Sequence, residues 1–223
     1  MAEGRAIKGG GAPPVRRENS IIEPGDAGRG ELQLLEERVQ WENDAARLLL
    51  AEVRLPGREG KTKEQFRLAP AAQHDDGIVV VPIDEQDRII LVRQFRHPIR
   101  MWVRELPRGA RDRGESPEEG ARRELREEIG YELVESWPLG RMAADSGQLR
   151  TVPWLLVARV RPGAATDPDD SESIDATWAY TFSDLARACA SGDILDSFTL
   201  SAVTRLLPHF DGDRFEYRAG VVR

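Results

Sequence analysis

The chain has 223 residues, with 32 Lys and Arg against 39 Asp and Glu and a formal net charge of -7. That length suits one domain with an appendage and a sizeable core, and the negative balance supplies no basic footprint for duplex nucleic acid while leaving a small nucleotide substrate open. Cys189 is the single cysteine, so no intrachain disulfide forms; with no secretory hydrophobic region and no apolar run long enough to span a bilayer, the expectation is a cytoplasmic protein without a membrane partner.

Residues 1–31 carry Gly9, Gly10, Gly11, Pro13, Pro14, Pro24 and Gly25 with little apolar periodicity and read as a disordered tail. The glycine triplet follows no strand and opens no helix, so it lacks the context of a phosphate-cradling loop. Over residues 32–70 the runs LQLLEERVQW, ARLLLAEVRLP and KEQFRLA, broken by the turn PGREG, predict an N-terminal antiparallel β section. Apolar strands with nothing local to cover them need a partner, which points to dimerisation through this section. Trp41 and Phe66 lie in it; an aromatic face suits a purine base, and core packing competes equally for each.

Residues 71–210 are expected to form the main domain. IVVVPI and RIILVRQF, separated by DEQD, read as a buried hairpin-like pair with near-continuous apolar character, and MWVRELP follows them. Arg93, Arg96 and Arg104 fall in these strands. Guanidinium forks match phosphate oxygens or a ribose, and pairing with acidic neighbours is the alternative.

The segment GARDRGESPEEGARRELREEIGY, Gly109 to Tyr131, is the densest in information. Ser116 is placed to cap a helix, Pro117 suits its first position, Glu119 completes a capping box, and Gly130 ends it. Ala121, Leu125 and Ile129 form a buried stripe, whereas Glu124, Glu127 and Glu128 share another face. Like charges at that spacing cost a helix roughly 0.2–0.5 kcal/mol per pair. A divalent cation removes that cost, and clustered carboxylates without nearby His or Cys favour Mg2+ or Mn2+ over zinc. Arg123, four residues before Glu127, is placed to fix its rotamer. A Glu/Arg-rich helix is otherwise a solvated face laced with ion pairs.

Beyond it, VPWLLVARV is a central-strand pattern and IDATWAY another strand. Helices follow at SDLARACAS, capped by Ser183 and ended by Gly192, and around TLSAVTRLL; Cys189 is read as a packed side chain. His74, His97 and His209 lack ligand spacing. Residues 211–223 read as a C-terminal tail, and the mixed order of strands and helices suggests an α/β sandwich rather than a Rossmann alternation.

Gly109, five residues, Glu115, seven residues, then Arg123, Glu124, Leu125, any residue, Glu127, Glu128, any residue and Gly130 resembles the Nudix box of the Nudix hydrolases, with Tyr131 where Ile, Leu or Val is usual. VRQFR (92–96), RELPRG (104–109) and SGDILDSFTLSAV (191–203) are similar to segments of ADP-ribose pyrophosphatases and related nucleoside diphosphate sugar hydrolases. The resemblance implies an α/β/α sandwich with a mixed sheet, homodimers built through the N-terminal β section, and a base-stacking aromatic near Phe66. It implies metal ligation by Glu124 and Glu128 with Glu127 contributing, the backbone carbonyl of Arg108 completing the shell, Arg123 orienting Glu127, and Gly109 permitting the tight approach of its loop. A general base comes from the loop DPDDSESIDATW, where Glu172 matches best and Asp169 and Asp170 compete. Two positions depart from the pattern: Ser146 stands where ADP-ribose-specific members usually carry proline, and Arg108 where a small residue commonly precedes the glycine, giving either a phosphate contact or a solvent-facing side chain. The implied activity is metal-dependent hydrolysis of the pyrophosphate bond of ADP-ribose or a related nucleoside diphosphate sugar. A dinucleotide cofactor or GDP-mannose is the alternative substrate, and a non-catalytic nucleotide sensor the alternative class.

Overall fold

The computed structural model describes residues 25–58, 60–163 and 173–220. In their described parts, residues 25–36 with 52–63 form one compact unit, and residues 37–51 with 64–220 form another. Strands Gln33–Glu42 (β1), Ala46–Arg54 (β2) and Thr62–Pro70 (β3) make an antiparallel three-stranded sheet in that order. In the smaller unit the Asp26 carboxylate caps a single 3-10 turn by accepting the Gly28 N–H at 2.8 Å, and the β2–β3 turn closes through the Leu55 N–H on the Lys61 carbonyl at 3.0 Å.

The larger unit is organised by a second sheet. Its strands are His74–Ile83 (β4), Ile89–Arg96 (β5), Met101–Glu105 (β6), Arg108–Asp112 (β7), Tyr131–Arg141 (β8), Trp154–Pro162 (β9) and Ile174–Tyr180 (β10). The order is β10-β5-β4-β9-β8, with β6 beside β5 and β7 beside β4. Among the described registers only β4 and β9 run parallel, so the sheet is mixed. Its middle strands are apolar at consecutive positions because both faces are covered. Ile78, Val80, Ile90, Val92, Leu156 and Ala158 pack on one side against Ala121, Leu125 and Ile129 of helix Pro117–Ile129 (α1). Val79, Val81, Leu91, Leu155 and Val157 pack on the other against helices Phe182–Ser191 (α2) and Ser197–Leu206 (α3). The result is the α/β/α sandwich with a mixed sheet that the sequence led us to expect.

Several local features depart from the sequence reading. Strand β8 has no counterpart in it: the strand is interrupted by irregularities at Leu133/Glu135 and Pro138/Gly140 and interleaves Glu132 and Glu135, so it carries no clean period-2 signal. Helix α2 is capped not by Ser183 but by Thr181, whose hydroxyl accepts the Asp184 N–H at 3.1 Å, while the Ser183 N–H donates to Asp213 at 2.7 Å. Part of the segment read as a tail is structured. Phe210–Asp211 (β11) pairs with Arg214–Phe215 (β12), Phe215 is buried, and Tyr217 stacks on both His209 and Trp137. Among the described residues no helix is long and apolar enough to cross a membrane.

Candidate active site

Helix α1 forms as its capping chemistry dictates. The Ser116 hydroxyl accepts the Glu119 N–H at 3.2 Å, Glu119 accepts the Ser116 N–H at 2.8 Å, and Gly130 ends the helix at a φ of 67°. The Glu119 carboxyl lies below its ordinary pKa because of its bonds to the Ser116 side chain and backbone. The helix buries more than its apolar stripe: Glu124 and Glu128, at 5 % and 4 % exposure, go down with Ala121, Leu125 and Ile129. Removing carboxylates from water is costly unless charge or hydrogen bonds compensate them.

Arg123 supplies that compensation for Glu124. Its Nε meets Glu115 at 3.2 Å, Nη1 meets Glu124 at 2.7 Å and Glu127 at 3.1 Å, and Nη2 donates to the Ala110 carbonyl at 2.6 Å and to Glu115 at 3.3 Å. Burial acts to lower the guanidinium's pKa, but the bond to Glu115 and the charge of Glu124 outweigh it, and the pKa is raised. Arg123 therefore does more than orient Glu127: it ties three carboxylates of the motif to the loop that begins at Gly109. The sequence reading gave Glu115 no role of its own.

That loop lies against the carboxylates because of glycine. A Cβ built on Gly109 would fall inside the Glu124 carboxylate, and one on Gly77, in the facing strand, would come within 2.7 Å of the Gly109 carbonyl oxygen. Strands β4 and β7 meet at Ile78 and Gly109, next to the pair Val79 and Arg108, and the Arg108 N–H donates to Glu128 Oε1 at 3.3 Å. Among the described residues no three acidic, His or Cys side chains converge as a ready-made metal cage. Glu127 is turned toward Arg123 and Arg126, and one oxygen of Glu128 toward the Arg108 amide.

The Arg108 side chain is held by neighbouring elements, with 21 % of it exposed. Its guanidinium bonds Glu105 at 3.0 Å and Asp196 at 2.9 Å and covers the Phe198 ring at 4.5 Å. Glu105 is 1 % exposed and also takes Arg96 Nε at 2.7 Å. Burial pushes its carboxyl above the ordinary value against the opposing pull of Arg108 and Arg96. Arg96 is thus engaged by a buried carboxylate, with 31 % of its own side chain exposed. Arg93 pairs with Asp175 at 2.6 Å and lies 4.6 Å over the Trp102 ring; Arg104 donates to the Tyr180 hydroxyl and lies 5.7 Å from the Trp178 ring. Phe66 and Trp41 are on the three-stranded sheet, 60 % and 52 % exposed, and are not packed in a core. Glu172, Asp169 and Asp170 lie outside the described residues.

One hub went unread in the sequence. Asp76 accepts the Thr151 hydroxyl at 3.0 Å and the Val152 N–H at 3.1 Å and pairs with Arg141. Its carbonyl takes Arg111 Nε at 2.8 Å, and Arg111 also donates to the Glu115 carbonyl. Asp76 so connects the 142–153 loop to the turn that starts α1. A recess of about 220 Å³ opens beside it, walled by Ala45, Leu68, Gly77, Ala110 and Leu149, with Asp75 and Thr151 as polar members.

Residues 73–194 match the NUDIX domain family. The chain is 31 % identical over 163 residues to an ADP-ribose pyrophosphatase of Mycobacterium tuberculosis, covering 68 % of this chain and 72 % of that protein. It is 29 % identical over 162 residues to a methanol dehydrogenase activator of Bacillus methanolicus, covering 72 % of this chain and 84 % of the relative. A crystal structure of an ADP compounds hydrolase shares the fold at a TM-score of 0.67 and 18 % identity, over 79 % of this chain and 92 % of that one.

Proposed function

This chain belongs to the Nudix hydrolase family, and we propose that it hydrolyses the pyrophosphate bond of ADP-ribose or a related nucleoside diphosphate sugar with the help of Mg2+, for which Mn2+ substitutes. The single observation that carries the reading is the pair of buried carboxylates, Glu124 and Glu128, one helical turn apart and backed by a glycine with no room for a side chain. The donor set fits a hard divalent ion: carboxylate oxygens and backbone carbonyls, without His or Cys. Glu124 and Glu128 would be the principal ligands, Glu127 would contribute by turning from Arg126, and the Arg108 carbonyl would complete the set. When bound, such an ion neutralises phosphate oxygens and lowers the pKa of an attacking water.

The chain's own groups do the rest. Arg123 holds Glu124 and Glu127 in place, and Asp76 with Arg111 fixes the turn from which α1 departs. Arg93 and Arg104 are direct cross-strand partners on β5 and β6. Like charges so placed repel; the half-exposed Asp175 balances part of that charge at Arg93, and an anionic phosphate there would balance more, whereas Arg96, engaged by the buried Glu105, is the weakest phosphate-binding candidate of the three. Phe66 and Trp41 offer exposed faces for a base. Glu172 remains the proposed general base, drawing the proton from water as the oxygen attacks phosphorus and the bridging P–O bond breaks, giving a nucleoside monophosphate and a sugar phosphate. We assign the protein to the cytoplasm and to a homodimer formed through the three-stranded sheet, where Leu35, Val39, Trp41, Phe66 and Leu68 are all exposed.

The test is an assay of the purified chain with Mg2+ and separately Mn2+ against ADP-ribose, other nucleoside diphosphate sugars and dinucleotides, identifying products chromatographically beside Glu128→Gln. Turnover of a nucleoside diphosphate sugar that the variant lacks supports the reading; no turnover of any such sugar overturns it, and turnover of dinucleotides alone moves the substrate class.

A further inference from the structure

We propose that Arg108 is a positioning residue, whose guanidinium fastens the segment that faces Glu128 to the first turn of α3 and so sets the cation affinity and turnover of the site. This rests on the hydrolase reading above.

The fastening is a closed set of bonds between residues 105–108 and α3. Asp196 caps α3, its Oδ2 accepting the Thr199 N–H and hydroxyl, each at 2.8 Å. The buried Thr199 hydroxyl in turn accepts the Leu106 N–H at 3.1 Å. The other Asp196 oxygen takes Arg108 Nη1, while Arg108 Nη2 returns to Glu105, three residues earlier. Phe198 lies under the guanidinium. The fork thus spans two carboxylates on different elements, a geometry that a lysine ammonium cannot reproduce.

What this set holds is the Arg108 backbone. Its amide faces Glu128, and the next residue, Gly109, has no clearance from Glu124. A small slide of this strand therefore moves both buried carboxylates. A buried ion cluster is weak evidence for stability, because desolvation offsets much of its Coulomb energy; its clearer use is to select one register. Here the register selected is that of the peptide beside Glu128. The side chain bonds Glu105 and Asp196, on two different elements.

The experiment compares wild type, Arg108→Lys, Arg108→Ala and Asp196→Asn by Mn2+ binding in electron paramagnetic resonance, by kcat and KM, and by thermal melting. Outer partners of metal ligands typically carry roughly 10-fold in affinity or activity, so Arg108→Ala is expected to weaken Mn2+ binding and kcat by about that factor with KM little changed, and Arg108→Lys to fall between. Asn still caps a helix, so Asp196→Asn should keep α3 capped while losing the ion pair to Arg108, and weaken Mn2+ binding in the same direction. Unchanged Mn2+ affinity in the folded variants overturns the proposal, as does a rise in KM alone, which would put the guanidinium on substrate. If the chain hydrolyses none of the substrates offered, the Mn2+ titration still decides the positioning role, so the two failures are distinguishable.

Discussion

The two faces of the large sheet are covered by helices of opposite character. On one, α2, α3 and the C-terminal hairpin bring aromatic and aliphatic surface: Phe182 stacks on Phe210 at 4.4 Å, and Leu185, Val203, Leu206 and Phe215 are buried with them. On the other, α1 buries two carboxylates beside its apolar stripe, Glu124 against Arg123 and the side-chain-free Gly109, Glu128 against the Arg108 amide. The first face gains stability from area removed from water. The second spends part of that gain to hold negative charge in a fixed place, a pattern expected where a site, rather than the fold, sets the residue choice.

Removing Arg123 should have the largest effect, because it breaks this compensation at once. Arg123→Ala leaves Glu115, Glu124 and Glu127 without their shared guanidinium, and taking one partner from a largely buried pair costs about 3–4 kcal/mol. Denaturant melts should show that loss together with abolished turnover. Leu185→Ala probes the opposite face: Leu185 is 1 % exposed, and truncation should cost about 3 kcal/mol while Mn2+ affinity stays at the wild-type value. If both variants lost stability and cation affinity in parallel, the two faces would not be separable as argued. Gly109→Ala should invert the Leu185 result. Its new methyl displaces the Glu124 carboxylate, and misplacing a reacting group by about 1 Å costs on the order of 10²-fold in rate, with a melting temperature less affected than in either other variant. Full activity in Gly109→Ala would show that Glu124 can move without consequence.

The sequence was most legible where local chemistry and pattern coincide. Helix α1 starts at Pro117, with its cap on Ser116 and its end at Gly130, because those residues have few other uses. Strands β4, β5 and β9 announce themselves by unbroken apolar runs. Strand β8 escaped, since two irregularities and interleaved glutamates erase its period. Tyr217 and Phe215 escaped as well, because single aromatics in a polar C-terminal stretch have no periodicity, and only the tertiary stack on Trp137 and His209 fixes them. In the site, spacing along one helix displayed the carboxylates, but Asp76, Arg111 and Asp196 act across elements distant in sequence, which no local pattern encodes. Arg108 was conspicuous as a departure, while its partners were visible only in three dimensions.

The smallest effect expected separates the two faces by pH. His209 is fully buried on the α2/α3 side; its Nδ1 accepts the Arg218 N–H at 3.0 Å, and its ring stacks on Tyr217 at 4.8 Å. Burial, helped by the Arg218 charge, lowers its pKa below the free value of 6.5. The folded state therefore binds fewer protons than the unfolded state once pH drops toward that value. Linkage then gives stability that is complete above pH 6.5 and declines as pH falls from there toward the folded pKa. His209→Phe keeps an aromatic ring for the stack but cannot titrate, so its melts between pH 7 and pH 5 should decline less than wild type. His74 and His97 remain in both proteins and cancel in the comparison. Equal slopes would mean that burial does not lower the His209 pKa and would overturn the argument. A smaller slope in the variant would show that the ring that docks the C-terminal hairpin is a titratable liability of this face.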